Sequence, residues 1–361
     1  MKNSYIVVGM MSGTSLDGLD MACCEFVKDE SKWTYELLAT DSIHYNSDCY
    51  HKLKEAIHLP KADIDSLDQL YGKWLGERVN EFIHNHKLEV DAIASHGHTV
   101  FHQPAVGITV QVGSGQQIAN ITGKKVICDF RKRDVSLGGQ GAPLVPIGDE
   151  LLFGHYAACL NMGGIANISY NLMGDRIAFD IGMANMLLNY LSEQLNKPYD
   201  ESGLIARSGT VNKDLLEALN NLAYYKLPYP KSTGYEWFLS EVKPIIDNSD
   251  ISIKDKLATS VEHEAKQIGN VLQQHIEVTG DVLVTGGGAF NTFFIDRLKS
   301  YTPAHLNIIV PDNQLILFKE ALVFAFLGVL RLRQEKNCLR TVTGASCDSC
   351  GGDVFIPILC H

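Results

Sequence analysis

Twice in this chain two extended apolar segments meet at a tight polar or glycine turn and a third extended segment follows, which commits both halves to sheet. The first set is Tyr5 to Met10, the turn SGTSLDG, Leu19 to Val27 and Trp33 to Ala39. The second is Ala157 to Met162, the turn Gly163-Gly164, Ala166 to Tyr170 and Ile177 to Asp180. Each set reads as a hairpin plus a third strand, so an internally duplicated fold is expected, although the two halves share no visible sequence similarity.

Helical periodicity fills the intervals. Met183, Met186, Leu187, Tyr190, Leu191 and Leu195 lie on one helical face directly after the Asp180 strand. Leu257, Val261, Ala265, Ile268, Leu272 and Ile276 mark a long helix that ends near Thr279-Gly280. A short buried strand, Asp281 to Thr285, then runs into Gly286-Gly287-Gly288, and Phe293, Phe294 and Leu298 are again helical. Strands alternating with helices predict an α/β protein with mixed sheets. The stretch from Ala223 to Asp250, with Pro228, Pro230 and Pro244, is expected to be irregular surface structure lining a cleft.

Composition narrows the function. A chain of 361 residues, 45% hydrophobic, buries a core large enough for two lobes. With 31 Lys and Arg against 42 Asp and Glu, the net charge of −11 repels a polyphosphate backbone, so nucleic acid is not expected as a partner. The longest apolar run, Ala321 to Leu330, is about half of the roughly 20 residues a membrane span needs, and it reads as a core helix. The opening MKNSYIVVGMMSGTS carries too short an apolar stretch for a secretory signal, so a cytoplasmic protein with nine reduced cysteines is expected. Cys347 and Cys350 form a lone CxxC with Cys360 and His361 beyond it, a chance pairing in preference to a zinc site.

Three segments carry chemistry. Gly13-Thr14-Ser15-Leu16-Asp17-Gly18 offers small residues whose amides and hydroxyls can approach phosphate oxygens, although ordinary turn chemistry would also account for it. It lacks the lysine of a Walker loop. Phe179-Asp180-Ile181-Gly182 puts a carboxylate at the carboxyl end of a strand before a helix: a general base, a magnesium-facing group or simply an N-cap. The helix start would offer amides to an anion. Thr285 to Asn291, TGGGAFN, lets a flat or charged ligand lie against backbone.

Taken in order, these segments resemble the superfamily of acetate and sugar kinases, heat-shock chaperones and actin. GMMSGTSLDGLD (9–20), SHGHTVFHQP (95–104), DFRKRDVSLGGQGAPLVP (129–146), LNMGGIANIS (160–169), KSTGYEWF (231–238), VTGGGAFN (284–291) and VTGAS (342–346) resemble, more narrowly, the anhydro-N-acetylmuramic acid kinases across nearly the whole chain. The resemblance implies a two-lobed, actin-like ATPase fold: duplicated ribonuclease-H-like mixed sheets flanked by helices, with an ATP cleft between the lobes. The first lobe is expected over residues 1–125, completed by 340–361, and the second over 126–339.

It also implies roles. GTSLDGLD would bind ATP phosphates, which places Gly13, Thr14, Ser15, Leu16, Asp17, Gly18, Leu19 and Asp20 in the nucleotide site. Asn161, Gly163 and Gly164 would flank the phosphates, while Gly286, Gly287, Gly288 and Asn291 would approach the adenosine. Asp180 matches the catalytic aspartate. His96, Arg131 and Glu320 match sugar contacts. ATP would arrive with its own Mg²⁺, without a protein metal site, and a homodimer is expected. The implied reaction opens the 1,6-anhydro ring of anhydro-N-acetylmuramic acid with water and phosphorylates the 6-oxygen, in cell-wall recycling. Two alternatives stand beside it: a kinase of another anhydrosugar, and a catalytically impaired nucleotide-binding regulator of the same fold.

Two departures bear on these expectations. The family commonly reads FDTGPGN where this chain reads FDIGMAN, so a threonine hydroxyl gives way to Ile181, and Met183 replaces proline. SHGQT becomes SHGHT, which puts His96 and His98 two apart on one expected strand face: a metal pair without a third ligand, or, preferably, a sugar-cleft or structural pair.

Overall fold

The computed structural model describes residues 2–13, 16 and 18–358. In chain order its strands are β1 (Ser4–Ser12), β2 (Gly18–Asp29), β3 (Lys32–His44), β4 (Ala92–Ser95), β5 (His98–Gln103), β6 (Ile108–Val112), β7 (Lys125–Cys128), β8 (Ala158–Met162), β9 (Ile165–Leu172), β10 (Asp175–Met183), β11 (Gly280–Thr285), β12 (Leu306–Ile309) and β13 (Asp353–Phe355). The chain divides into two compact units, one running up to Leu152 and resuming at Phe318, the other Phe153–Leu317.

The first unit holds a sheet of order β13-β7-β4-β1-β2-β3, in which β1, β2 and β3 form an antiparallel meander and β4 and β7 add in parallel on the far side of β1. Central β1 is apolar along most of its length, with Val7, Val8 and Met10 at most 1% exposed, as a strand covered on both faces should be. Edge strand β3 alternates instead. The helix Lys61–Asn85 buries Ile64, Leu67, Tyr71, Leu75, Val79 and Phe82, a stripe at three- and four-residue spacing. The run Ala321 to Leu330 is buried on all sides within the helix Asn313–Leu332, as expected of a core helix. Among the described residues no helix is long and apolar enough to cross a membrane.

The second unit repeats the scheme. Its order is β10-β9-β8-β11-β12, an antiparallel meander β8-β9-β10 with β11 and β12 parallel to β8. With edge strand β13 set aside, the two sheets share the order third, second, first, fourth, fifth. The hairpin-led halves thus form the expected duplicated fold, with the ribonuclease-H-like topology that the family resemblance implies. The helix Ile253–His275 covers this sheet with Leu257, Val261, Ala265, Ile268 and Leu272, and starts at Ser252, whose side chain accepts from Asp255 N–H.

Two expectations are corrected. A boundary at 125/126 falls too early, because β7 extends the first sheet beside β4. A return at 340 falls too late, because the helix is already in the first core at Phe326, whose ring centroid lies 5.2 Å from that of Phe26. The stretch from Ala223 to Asp250 is not wholly irregular either: a 3-10 turn spans Ala223–Lys226, and helical turns run from Tyr235 to Asp247 with a π segment over Phe238–Val242.

Candidate active site

In the second unit the site is organised by strand register. Asp180 on β10 pairs with Asn167 on β9, Asn167 with Asn161 on β8, and Asn161 with Thr285 on β11. One transverse row of the sheet thus joins Asp180 to the ends of β8 and β11, where the glycine turns begin. Asn167 has no counterpart among the expected site residues, because only cross-strand pairing brings it into this row.

At Asp180 the ladder is broken by a bulge. Gly182 pairs with Ala166, the next residue along β9, so Ile181 is left unpaired, and its side chain turns into the core at 1% exposure. Asp180 N–H donates to the Lys231 carbonyl (3.2 Å), Thr233 N–H donates to Asp180 Oδ2 (3.0 Å), and Tyr224 Oη donates to the Asp180 carbonyl (2.8 Å). Burial pushes the Asp180 carboxyl above its ordinary range, with the Thr233 amide opposing. Asp180 is not an N-cap, since it lies inside β10 and the helix Asn185–Glu193 begins after Ala184. Nor are that helix's first amides open to an anion: Ala184 and Met186 N–H donate to Gly164 and Asn185 N–H to Gly163.

The glycines divide into two kinds. Gly286 has φ +81°, and a Cβ there would stand 2.8 Å from the Met162 carbonyl carbon; at Gly288 it would stand 2.8 Å from Met162 Cβ. Packing alone requires glycine at both. Gly163, Gly164 and Gly287 have no neighbour closer than 3.6 Å to such a carbon, so the protein itself makes no demand for glycine there. A ligand lying against the backbone would. Asn291 is buried, and its Oδ1 caps the helix Thr292–Tyr301 by accepting from Phe294 N–H (3.0 Å).

In the first unit, the connection between β1 and β2 carries the expected phosphate loop; Thr14, Ser15 and Asp17 lie outside the described residues. Leu16, at φ +58°, donates its N–H to the Gly13 carbonyl (3.3 Å). Gly18 opens β2 opposite His44. Leu19 is 1% exposed in the core, so only its backbone faces outward chemistry. Asp20 accepts from Ser42 Oγ (2.6 Å). Just before the loop, Ser12 Oγ bonds Tyr45 Oη (2.7 Å), which bonds Tyr71 Oη (2.7 Å), and His98 Nδ1 is 3.3 Å from the same serine.

His96, Arg131 and Glu320 come together. Arg131 donates through Nε (3.2 Å) and Nη2 (2.9 Å) to His96 Nε2 and through Nη1 to the Gly141 carbonyl (3.1 Å). His96 Nδ1 lies 2.8 Å from the Gly97 carbonyl, so Nδ1 carries the proton and the ring is neutral. Burial, followed by the Arg131 charge, lowers its pKa to about 3. Burial lowers Arg131 to about 10, with Glu320 pulling it back up. The surrounding protein raises the Glu320 carboxyl, which Lys319 and Arg131 oppose. His96 and His98 do not share a strand face: Gly97, at φ +69°, separates β4 from β5 and sends the two rings to different partners. Among the described residues no group of three or more His, Cys, Asp or Glu could hold a metal, and Cys347 and Cys350 are free thiols.

The family model described as anhydro-N-acetylmuramic acid kinase matches residues 5–357. A protein of that name from Shewanella frigidimarina is 35% identical, over 94% of this chain and 95% of its own. Its namesake from Shewanella sp. (strain MR-4) is 36% identical over 98% and 99%, and one from Saccharophagus degradans 33% identical over the same shares. Motif order, duplicated topology and these relatives together make the chain a member of the anhydro-N-acetylmuramic acid kinase family.

Proposed function

We propose that this protein is an ATP-dependent kinase that opens 1,6-anhydro-N-acetylmuramic acid with water and phosphorylates the freed 6-oxygen. The observation that carries the reading is Asp180: a carboxylate at a strand bulge, oriented by the Thr233 amide and made more basic by burial. Asp180 takes a proton from water as the water oxygen bonds to the anomeric carbon, and the bond from that carbon to the 6-oxygen breaks. The 6-oxygen then bonds the γ-phosphorus while the bridging β–γ bond breaks, giving N-acetylmuramic acid 6-phosphate and ADP.

Gly13, Thr14, Ser15, Leu16, Asp17, Gly18, Leu19 and Asp20 supply the phosphate loop in this reading, with Asn161, Gly163 and Gly164, and the room in front of Gly163, Gly164 and Gly287 suits a ligand held against bare backbone. Mg²⁺ enters as part of the nucleotide substrate and neutralises phosphoryl charge. Arg131, fixed by His96 and Gly141, and Glu320 hold the sugar. The cytoplasm, recycling of cell-wall fragments and a homodimer belong to the same proposal. ADP release measured with anhydro-N-acetylmuramic acid, with levoglucosan and without sugar tests it. Release with the first alone supports the reading; equal release with levoglucosan makes it a kinase of other anhydrosugars, and no sugar-dependent release makes it a regulator.

A further inference from the structure

β10 is the edge strand of its sheet, so backbone groups on its outer side have no ladder partner, and where buried they must be satisfied elsewhere. In β10 two consecutive tyrosines on the turn Ala223–Lys226 do this. Tyr224 Oη donates to the Asp180 carbonyl before the bulge (2.8 Å), and beyond it the Met183 amide lies close enough to Tyr225 Oη to oppose the rise in that hydroxyl's pKa. Between them the Tyr225 ring lies against Gly182: a Cβ there would stand 2.6 Å from Cε1 and 2.7 Å from Oη. Glycine at that position is therefore the condition for Tyr225 to reach Met183.

Behind Tyr225 the hydrogen bonds have a fixed direction. His263 Nδ1 is 2.8 Å from Asn220 Oδ1, which also accepts from Gln267 Nε2 (2.7 Å). With the proton thus on Nδ1, Nε2 is a lone pair, and it stands 3.0 Å from Tyr225 Oη. The tyrosine proton points to the histidine, and its oxygen is left for the Met183 amide. His263 is 1% exposed, and its burial favours the neutral ring that this direction needs.

We propose that Tyr224, Tyr225 and His263 are positioning residues that fix the peptide planes on both sides of the bulge that follows Asp180 and so aim its carboxylate. The proposal rests on the reading of Asp180 as the general base. Without the two hydroxyls the segment from Ile181 to Met183 can swing, and a misplacement on the order of 1 Å at the reacting group costs roughly 100-fold in rate.

The test uses the full chain with Tyr224→Phe, Tyr225→Phe, His263→Leu, His263→Gln and the pair Tyr225→Phe with His263→Leu. Measured are kcat and KM for sugar-dependent ADP formation, the ATP dissociation constant and the thermal midpoint. Each tyrosine variant is expected to lower kcat by about 10-fold or more with ATP affinity unchanged within about 2-fold. His263→Leu should match Tyr225→Phe, and the pair should be no worse than either single, because both break one chain of bonds. His263→Gln keeps an acceptor where Nε2 stands and should retain kcat within about 3-fold. Variants that lose thermal midpoint yet keep kcat per folded molecule would overturn the proposal, as would losses that multiply in the pair. Asp180→Asn separates the two readings. If it abolishes turnover while the tyrosine variants are silent, positioning alone fails; if it keeps turnover, the base assignment fails and the positioning role falls with it.

Discussion

Ile181→Thr restores the residue type that the family commonly carries beside its catalytic aspartate, and the structure predicts that it does harm. Ile181 is the unpaired residue of the bulge, and its side chain sits at 1% exposure in the core that also contains Ala184, Leu187 and Leu191. Threonine there removes the equivalent of about two buried methylene groups, roughly 1.6 kcal/mol at about 0.8 each. It also places a hydroxyl among apolar groups, which without a partner costs about 1 to 3 kcal/mol. A total near 3 to 4 kcal/mol corresponds to a fall in thermal midpoint on the order of 10 °C for a unit of this size. Ile181→Val, which removes one methyl group and adds no polar atom, should cost only about 0.5 to 1.5 kcal/mol and serves as the reference. Thermal unfolding without ligand, paired with ADP formation per folded molecule, reads both effects; turnover should change little. If Ile181→Thr proves as stable as Ile181→Val and turns over about 2- to 12-fold faster, the gain expected from one new hydrogen bond in the transition state, the side chain faces the ligand and the reasoning is wrong.

Asp180→Asn should lower sugar-dependent turnover by about 100-fold or more while ATP binding, followed by calorimetry, is kept. The same variant should be at least as stable as the parent at pH 7. The raised carboxyl pKa means that the folded state binds the proton more tightly than the unfolded chain, so the stability linked to this group is present at low pH and is lost as pH rises through the folded value; a clear drop in the variant's midpoint at pH 7 would contradict this. In the parent, kcat/KM should fall on the acid side along a limb displaced above the ordinary carboxylate range; a limb at or below that range would count against Asp180 as a buried base. Gly286→Ala should destabilise the second unit, because φ is +81° and Met162 blocks the added carbon, whereas Gly287→Ala should leave the thermal midpoint intact and weaken ATP binding; equal behaviour of the two would place the nucleotide elsewhere. Lys319→Ala should cost about 3 to 5 kcal/mol in urea unfolding, since Lys319 and Asp149 form a buried ion pair at 2.7 Å, and a cost under about 1 kcal/mol would show the pair to be dispensable.

The segments legible in the sequence are those whose contacts are local or periodic. Val7, Val8 and Met10 mark a strand covered on both faces, and the stripe from Leu257 to Leu272 marks a helix lying on a sheet. The turn after β11 could be read because side chains larger than glycine are not tolerated at Gly286 and Gly288. Less legible was anything decided by approach of distant chain. The first unit's return at Phe318 depends on Phe326 meeting Phe26, and the partners that His96 and His98 take on either side of Gly97, Arg131 and Ser12, come from distant chain. Asn291 also caps the helix it precedes, a role that spacing along the chain does not specify.

By itself the sequence determined the duplicated hairpin-led architecture and the residue types of the candidate site: a carboxylate in a strand that leads into a helix, and glycine turns after two strands. Alternation and helical stripes encode which face of an element is buried, and burial of those faces drives the fold, so that information lies along the chain. Only the tertiary structure decided how Asp180 is aimed. β10 is an edge strand, so the Asp180 carbonyl and the Met183 amide look to groups outside the sheet, and whichever hydroxyls come near must satisfy them. Tyr224 and Tyr225 do so from a turn far along the chain, with His263 on yet another helix fixing the direction of the bond. No spacing within β10 could specify those partners, because a buried amide is indifferent to where in the sequence its acceptor arises.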